Sequence, residues 1–255
     1  MRDNNLYKYD LFVNDNIFYL FNKTIYEFDM KNAGYNLSRA YELLPASKLE
    51  ELGRYKKDRR TIEIGKIQRS DDVFKERLKK AFEEARRMFF EANYVKEDEV
   101  ISIKKDAIFV TRYCEIQNFL DYIDFRPKNE YSSYIHLNRK IELYYSEEKM
   151  DIKGLGDDVI QYHEEYMINF IKLFFKKMET EDVATVLGFM RRFIDRYKKR
   201  ELPIGYYRRF DRDPRFDIAG DDSVKFYEYW EDQKHELDIM YNYIEVLIKL
   251  TKIPL

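Results

Sequence analysis

The sequence predicts an α+β fold, with a βαβ-like first half and a helical second half. Three observations carry this expectation. Apolar, β-branched runs occupy residues 16–30 and 100–113. An apolar stripe at helical spacing lies between them, at 71–93. Helix-patterned segments return at about 158–178, 181–199 and 223–250.

Taken in order, NIFYLFNKTIYEFDM at 16–30 reads as two strands around a turn at Asn22-Lys23, the second ending at Asp29. AGYNLSRAYELL follows as a helix with Ala33, Leu37, Ala40, Leu43 and Leu44 on one side, stopped by Pro45. A short helix at 47–52 ends at Gly53. RYKKDRRTIEIGKIQR is rich in Lys and Arg but interleaved with Ile62, Ile64 and Ile67. It is either a solvated charge run or a segment partly anchored to a core. In the next helix Phe74, Leu78, Phe82, Ala85, Phe89 and Ala92 form the stripe, and Ser70 or Asp71 can cap its first turn. EVISIKKDAIFVTRY then reads as strand, tight charged turn and strand, with Asp106 at the tip. Residues 115–153 are mixed, with short strands near IELYY and KMDIKG, and 203–221 is the longest loop. The expected division is a first domain at 1–156, with a short insertion at about 45–70, and a helical region at 157–255.

Composition narrows the function classes. Hydrophobic residues make up 45% of the 255, enough for a packed core. With 46 basic and 48 acidic residues the net charge is −2, which excludes a uniformly basic nucleic-acid coat but not a local basic groove. One cysteine, Cys114, excludes an intrachain disulfide framework and a multi-cysteine zinc site. The histidines, His136, His163 and His235, lack ligand spacing. No apolar run approaches the roughly 18–20 residues needed to span a bilayer, and the first nine residues are polar and charged. We therefore expect no membrane partner, no secretory leader and a cytoplasmic setting. The 23 Tyr and 19 Phe serve either as core or as stacking surfaces for bases.

Two aspartates stand out. Asp29 lies where an apolar strand gives way to a helix, and Asp106 lies at a hairpin tip. The helix between them provides a crossover that can lay their strands side by side, about 5 Å apart. Two carboxylates at that spacing repel and favour a cation between them; a Mg²⁺ or Mn²⁺ pair there would clamp the oxygens of phosphoryl or nucleotidyl transfer. Aspartate is also common at turns for local hydrogen-bonding reasons, so position alone leaves an ordinary turn residue as the competing reading.

Around these residues the sequence resembles the palm of B-family DNA polymerases and, more loosely, A-family and single-subunit RNA polymerases. YEFDMKNAGYNL is similar to motif A. SIKKDAIFV is similar to motif C, which in the B family reads YGDTDSIFV, and places Asp106 on its second aspartate. FKERLKKAFEEARRMFF sits where such palms carry a long helix, and EKMDIKGLGDD is similar to the Lys-Gly element that grips the primer. The likeness spans about residues 20–160, and short phage proteins carry motifs of this type. It implies a polymerase-like palm with a central antiparallel hairpin and a helical thumb-like region. It also implies Asp29 and Asp106 as catalytic metal ligands, a nucleoside triphosphate, a primer–template or single strand, and a replication-protein partner.

There are departures. Lys104 replaces the first aspartate of DTDS. Gly34 replaces the aromatic residue that screens the sugar, which puts selection against ribonucleotides in doubt, with Tyr35 as an adjacent substitute. The 54–69 segment falls where the fingers element would be, so Arg60, Lys66 and Arg69 are candidates for the triphosphate, by position and charge. Lys105 and Lys153 are candidates for primer phosphates. Arg191, Arg192, Lys198, Lys199 and Arg200 make a basic region that is otherwise a solvated face, and 206–216 mixes Tyr, Phe and Arg as single-strand binders do. Motif A begins within 30 residues of the start, so no separate exonuclease domain is expected. Two rivals stand beside a DNA polymerase-like nucleotidyltransferase: an RNA-synthesising or primase-like enzyme, and a catalytically silent palm that binds nucleic acid or a replication partner. A phage protein acting on a host target in the host cytoplasm is a third.

Overall fold

A computed structural model describes residues 5–115, 118–136, 141–154, 157, 160–161, 164–199, 201–203 and 206. Among them are ten strands and six α-helices, in an α+β arrangement of two antiparallel sheets. The chain forms two compact units: Met1–Ile17 with Thr24–Glu130, and Phe18–Lys23 with Tyr131–Leu255. The expected helix at 223–250, Arg200 and nearly all of the 203–221 loop lie outside the described residues.

The first unit is built on a six-stranded sheet of β1 (Leu11–Val13), β3 (Ile25–Met30), β4 (Val100–Lys104), β5 (Ala107–Val110), β6 (Asn118–Leu120) and β7 (Ile123–Tyr131), in the order β1-β4-β5-β3-β7-β6. Side chains alternate along β3. Phe28 and Met30 enter the core, while Glu27 and Asp29 share the other face. The long helix α4 (Asp72–Asn93) lays Phe74, Leu78, Phe82, Ala85 and Phe89 into that core, with Phe89 5.3 Å from the Phe28 ring and 4.8 Å from the Phe125 ring. Asp71 caps α4 by accepting the Phe74 N–H at 2.9 Å.

Between β3 and α4 run α1 (Ala33–Ala40), α2 (Ala46–Gly53) and α3 (Lys57–Ser70). The basic 54–69 segment is therefore mostly helix. Its low hydrophobicity concealed a narrow buried edge, of which Ile64 is the innermost residue.

One buried cation organises this unit. Arg86 of α4 is fully buried. Its guanidinium donates to the Tyr7 carbonyl at 2.7 Å, the Lys105 carbonyl at 2.8 Å and Asp10 Oδ1 at 3.0 Å. The Lys105 N–H in turn donates to the Asp10 carbonyl at 2.6 Å. The tip of the β4–β5 hairpin is thus tied to both α4 and the N-terminal segment. Lys104 and Ala107 close a two-residue loop in which Lys105 takes φ 58°, the left-handed conformation that tight hairpins demand.

The second unit holds β2 (Tyr19–Leu20), β8 (Ser133–His136), β9 (Glu142–Tyr145) and β10 (Met150–Lys153), ordered β10-β9-β8-β2. Ile135, Leu143, Tyr145 and Ile152 pack on α5 (Asn169–Thr180) and α6 (Val183–Lys198) through Phe174, Phe175, Val186 and Met190. The opposite face is polar and aromatic yet buried: Glu142 accepts from Tyr134 and Tyr144 hydroxyls.

Two sequence expectations change here. Residues 16–30 do not form a hairpin: β2 pairs with β8 and β3 pairs with β5. Asn22, at φ 53°, breaks the strand run without joining its halves. The strands near IELYY and KMDIKG belong with the C-terminal helices, so the units divide at 130/131 and not near 156.

Replacing Arg86 with Met should cost about 3 kcal/mol in urea unfolding, because two carbonyls and Asp10 lose a buried partner. Asp10→Asn, at a half-exposed carboxylate, should cost under about 1 kcal/mol. Equal effects would mean that the ion pair, and not the carbonyl clamp, matters. Cys114 is fully buried and its thiol is pushed up to about 11 by burial, so it should resist thiol reagents at pH 7 until the protein unfolds.

Candidate active site

The first unit contains a cavity of about 420 Å³ at the end of the sheet that carries the β4–β5 tip. Asp29, Asp106, Lys105, Gly34 and Tyr35 all line it. The register explains how the two aspartates meet. Asp29 is opposite Ala107, and the Met30 N–H donates to the Asp106 carbonyl at 3.0 Å, so one carboxylate comes from β3 and the other from the adjoining β4–β5 turn.

Both carboxyls are held above their usual range. For Asp29 burial is the main cause; Lys128 opposes it, while Asp106 and Glu27 add repulsion. For Asp106 burial again dominates, against its own backbone amide and the charges of Lys105, Lys128 and Lys57. Each group therefore lacks part of the stabilisation that a carboxylate has in water, and a bound cation would supply it.

Helix α3 forms one wall. Lys57, Arg60, Thr61, Ile64 and Gln68 line the cavity. These positions repeat at three, four and seven residues, one face of a helix. Lys66 lies about 180° around from Lys57. It is exposed and paired with Glu63 at 2.8 Å, and neither it nor Arg69 lines the cavity. Arg60 is at the wall, but its guanidinium donates to the carbonyls of Leu52 (3.0 Å) and Tyr55 (2.7 Å) and sits 4.6 Å from the Tyr35 ring centre. It locks α2 to α3. Lys57 is the wall cation that the sequence reading passed over, and its spacing from Arg60 and Ile64 was the available signal.

Gly34 lets α1 close on α3. A Cβ there would meet Ile64 Cγ2 at 3.4 Å, so one methyl fits and a larger group would have to enter the cavity. Tyr35 is anchored by its hydroxyl to the Leu49 carbonyl at 3.2 Å. Lys104 does not line the cavity. Its place opposite Ala107 puts it two strands from Asp29, roughly 10 Å away.

Strand β7 adds Arg126 and Lys128 to the lining. Lys128 Nζ lies 3.1 Å from Glu27 Oε1 and 3.9 Å from Asp29 Oδ1. Burial opposes its charge, but the bond to Glu27 and the nearby carboxylates outweigh this and hold the ammonium above its usual value. Sequence reasoning missed both residues because Pro127 and dense charge hid a nine-residue strand. Lys153 belongs to the second unit, with Nζ 3.5 Å from Asp151.

Among the described residues, no three His, Cys, Asp or Glu side chains form a metal-holding cluster. Two carboxylates still suit Mg²⁺, which usually takes one or two protein carboxylates and completes its shell with water and phosphate oxygens. No helix of the described residues is long and apolar enough to cross a membrane.

The chain belongs to the bacteriophage PBS1 gene 130 protein family, whose model matches residues 1–254. No curated protein matches the chain.

The raised carboxyl values have a sign that stability can test. The folded state holds these protons more tightly than the unfolded chain. Stability from this source is therefore complete below about pH 4 and is lost as pH rises through the folded values. Asp29→Asn and Asp106→Asn should each raise the unfolding midpoint in EDTA at pH 7 relative to wild type, with the advantage fading near pH 4. A lower midpoint at pH 7 would contradict the electrostatic assignment.

Proposed function

We propose that this chain is a compact, metal-dependent nucleotidyltransferase with a palm-like first unit, of the template-directed DNA polymerase type. The observation that carries the reading is the convergence of Asp29 and Asp106 in one cavity walled by Lys57 and Arg126. Strand, helix and hairpin follow the order that the motif resemblance implies, with α4 packed behind the sheet.

Asp29 and Asp106 would hold Mg²⁺ or Mn²⁺. When bound, the metal lowers the pKa of an attacking hydroxyl and neutralises charge on the leaving oxygen. Lys57 and Arg126 would neutralise the β- and γ-phosphates of a nucleoside triphosphate. A primer 3′-OH would form a bond to the α-phosphorus as the bond to pyrophosphate breaks, and the hydroxyl proton leaves to solvent. The first turn of α1, from Ala33 to Tyr35, would lie against the sugar. Gly34 offers no bulk against a ribose 2′-OH, which favours tolerance of ribonucleotides and keeps an RNA-synthesising or primase-like activity as the second reading. Lys105 would contact a primer phosphate, and a replication protein would be the macromolecular partner.

Extension of a labelled primer, with dNTPs and NTPs in separate arms and Mg²⁺ or Mn²⁺, tests this directly. Asp106→Asn should lower the rate about a thousandfold, a loss of roughly 4 kcal/mol in transition-state stabilisation. Lys57→Ala should raise KM for the triphosphate about tenfold or more with a smaller change in kcat. If the wild type extends nothing with either metal and still binds single-stranded DNA in a salt-sensitive way, the silent nucleic-acid-binding reading replaces this one.

A further inference from the structure

Glu27 and Lys128 form a second charged pair against the two aspartates, and the motif resemblance assigned neither a role. Glu27 lies two residues before Asp29 on the same strand face, and only 1% of its side chain is exposed. One of its oxygens accepts from Lys128 at 3.1 Å and the other from the Asn129 amide. Lys128 reaches in from β7 with 43% of its side chain exposed, and its Nζ is also 3.9 Å from Asp29 Oδ1.

The two contacts are unequal. A buried carboxylate that loses its cation is strongly destabilised, so Lys128 is held firmly to Glu27. The 3.9 Å contact to Asp29 is too long for a hydrogen bond and is purely Coulombic. Lys128 can therefore give up Asp29 without giving up Glu27.

We propose that Lys128 is a resident counter-ion of Asp29 which a divalent cation must displace, and that Glu27 is the post onto which it withdraws. This rests on the metal-site reading above. An ammonium so close to one ligand repels an incoming dication and shares the carboxylate that it needs. Removing the ammonium relieves both effects. Removing the charge on Glu27 has the opposite consequence: Lys128 loses its post and settles on Asp29. Glu27 and Lys128 are thus positioning residues that set the threshold for loading the site.

The test is Mn²⁺ binding to the full chain without nucleotide, followed by the electron paramagnetic resonance signal of free Mn²⁺. Lys128→Met should tighten the Kd about tenfold, and Glu27→Gln should weaken it by a similar factor. Lys128→Met removes the ammonium beside a buried carboxylate and risks misfolding. The double variant Glu27→Gln with Lys128→Met removes both charges, keeps the total charge constant and should still bind more tightly than wild type. Tightening in the double variant supports an occupant of the site over a simple charge effect. If wild type binds Mn²⁺, Asp29→Asn abolishes binding, and neither Lys128→Met nor the double variant binds more tightly, the counter-ion proposal is overturned while the metal site stands. If no variant and no wild-type protein binds Mn²⁺, both fall.

Discussion

The Arg86 guanidinium is the interaction on which the first unit depends. Among the described residues it is the largest side chain that is fully buried, and it is placed in the middle of an apolar helix stripe. Such a group is tolerated only when its donors find acceptors, and here they find two main-chain carbonyls and Asp10. One of those carbonyls is that of Lys105, a residue in a left-handed conformation that costs about 1 kcal/mol for a side chain other than glycine. The clamp holds the strained tip in place, and Asp106 is the next residue. Lys105 Nζ also lies 5.0 Å from the Phe82 ring centre, a second tie between tip and helix. The position of Asp106 is therefore a property of α4 and the N-terminal segment as much as of its own hairpin.

Around the cavity the same economy is visible in charge. Desolvation works against both carboxylates; Lys128 is the main compensation at Asp29, and at Asp106 its own backbone amide comes ahead of the charges of Lys105, Lys128 and Lys57. A fold selected only for stability would place neutral residues there. Destabilised charges in a cleft are a signature of sites that bind something to relieve them. The cations on α3 and β7 extend the argument, because they line the same cavity as the carboxylate pair and give it positive charge that a polyanion would meet.

Much of this was legible in the sequence, for identifiable reasons. α4 announced itself by a long stripe with an aspartate cap, and the β4–β5 hairpin by two apolar runs around a charged dipeptide. Asp29 and Asp106 were visible because one closes an apolar strand and the other sits at the tip of an apolar hairpin. Arg86 was not, although it lies four residues after Phe82 and three before Phe89, inside the stripe; a charged residue in such a position needs tertiary partners that periodicity cannot reveal. The wall of α3 was obscured because one apolar edge on a basic helix barely differs from a charge run. Lys66 and Arg69 were favoured over Lys57 for that reason: with no helix assigned, position along the chain stood in for position around an axis. Lys128 and Glu27 required the β3–β7 pairing, which nothing local encodes, and the exchange of β2 into the second sheet was equally non-local.

A crystal structure with Mn²⁺ and a non-hydrolysable nucleoside triphosphate, phased to show anomalous scattering, tests the central claim most directly. The account predicts an anomalous peak about 2.0–2.3 Å from carboxylate oxygens of both Asp29 and Asp106, with the triphosphate toward Lys57 and Lys128 drawn back onto Glu27. Nucleotide bound elsewhere, or an anomalous peak away from this pair with Lys128 still beside Asp29, would contradict it.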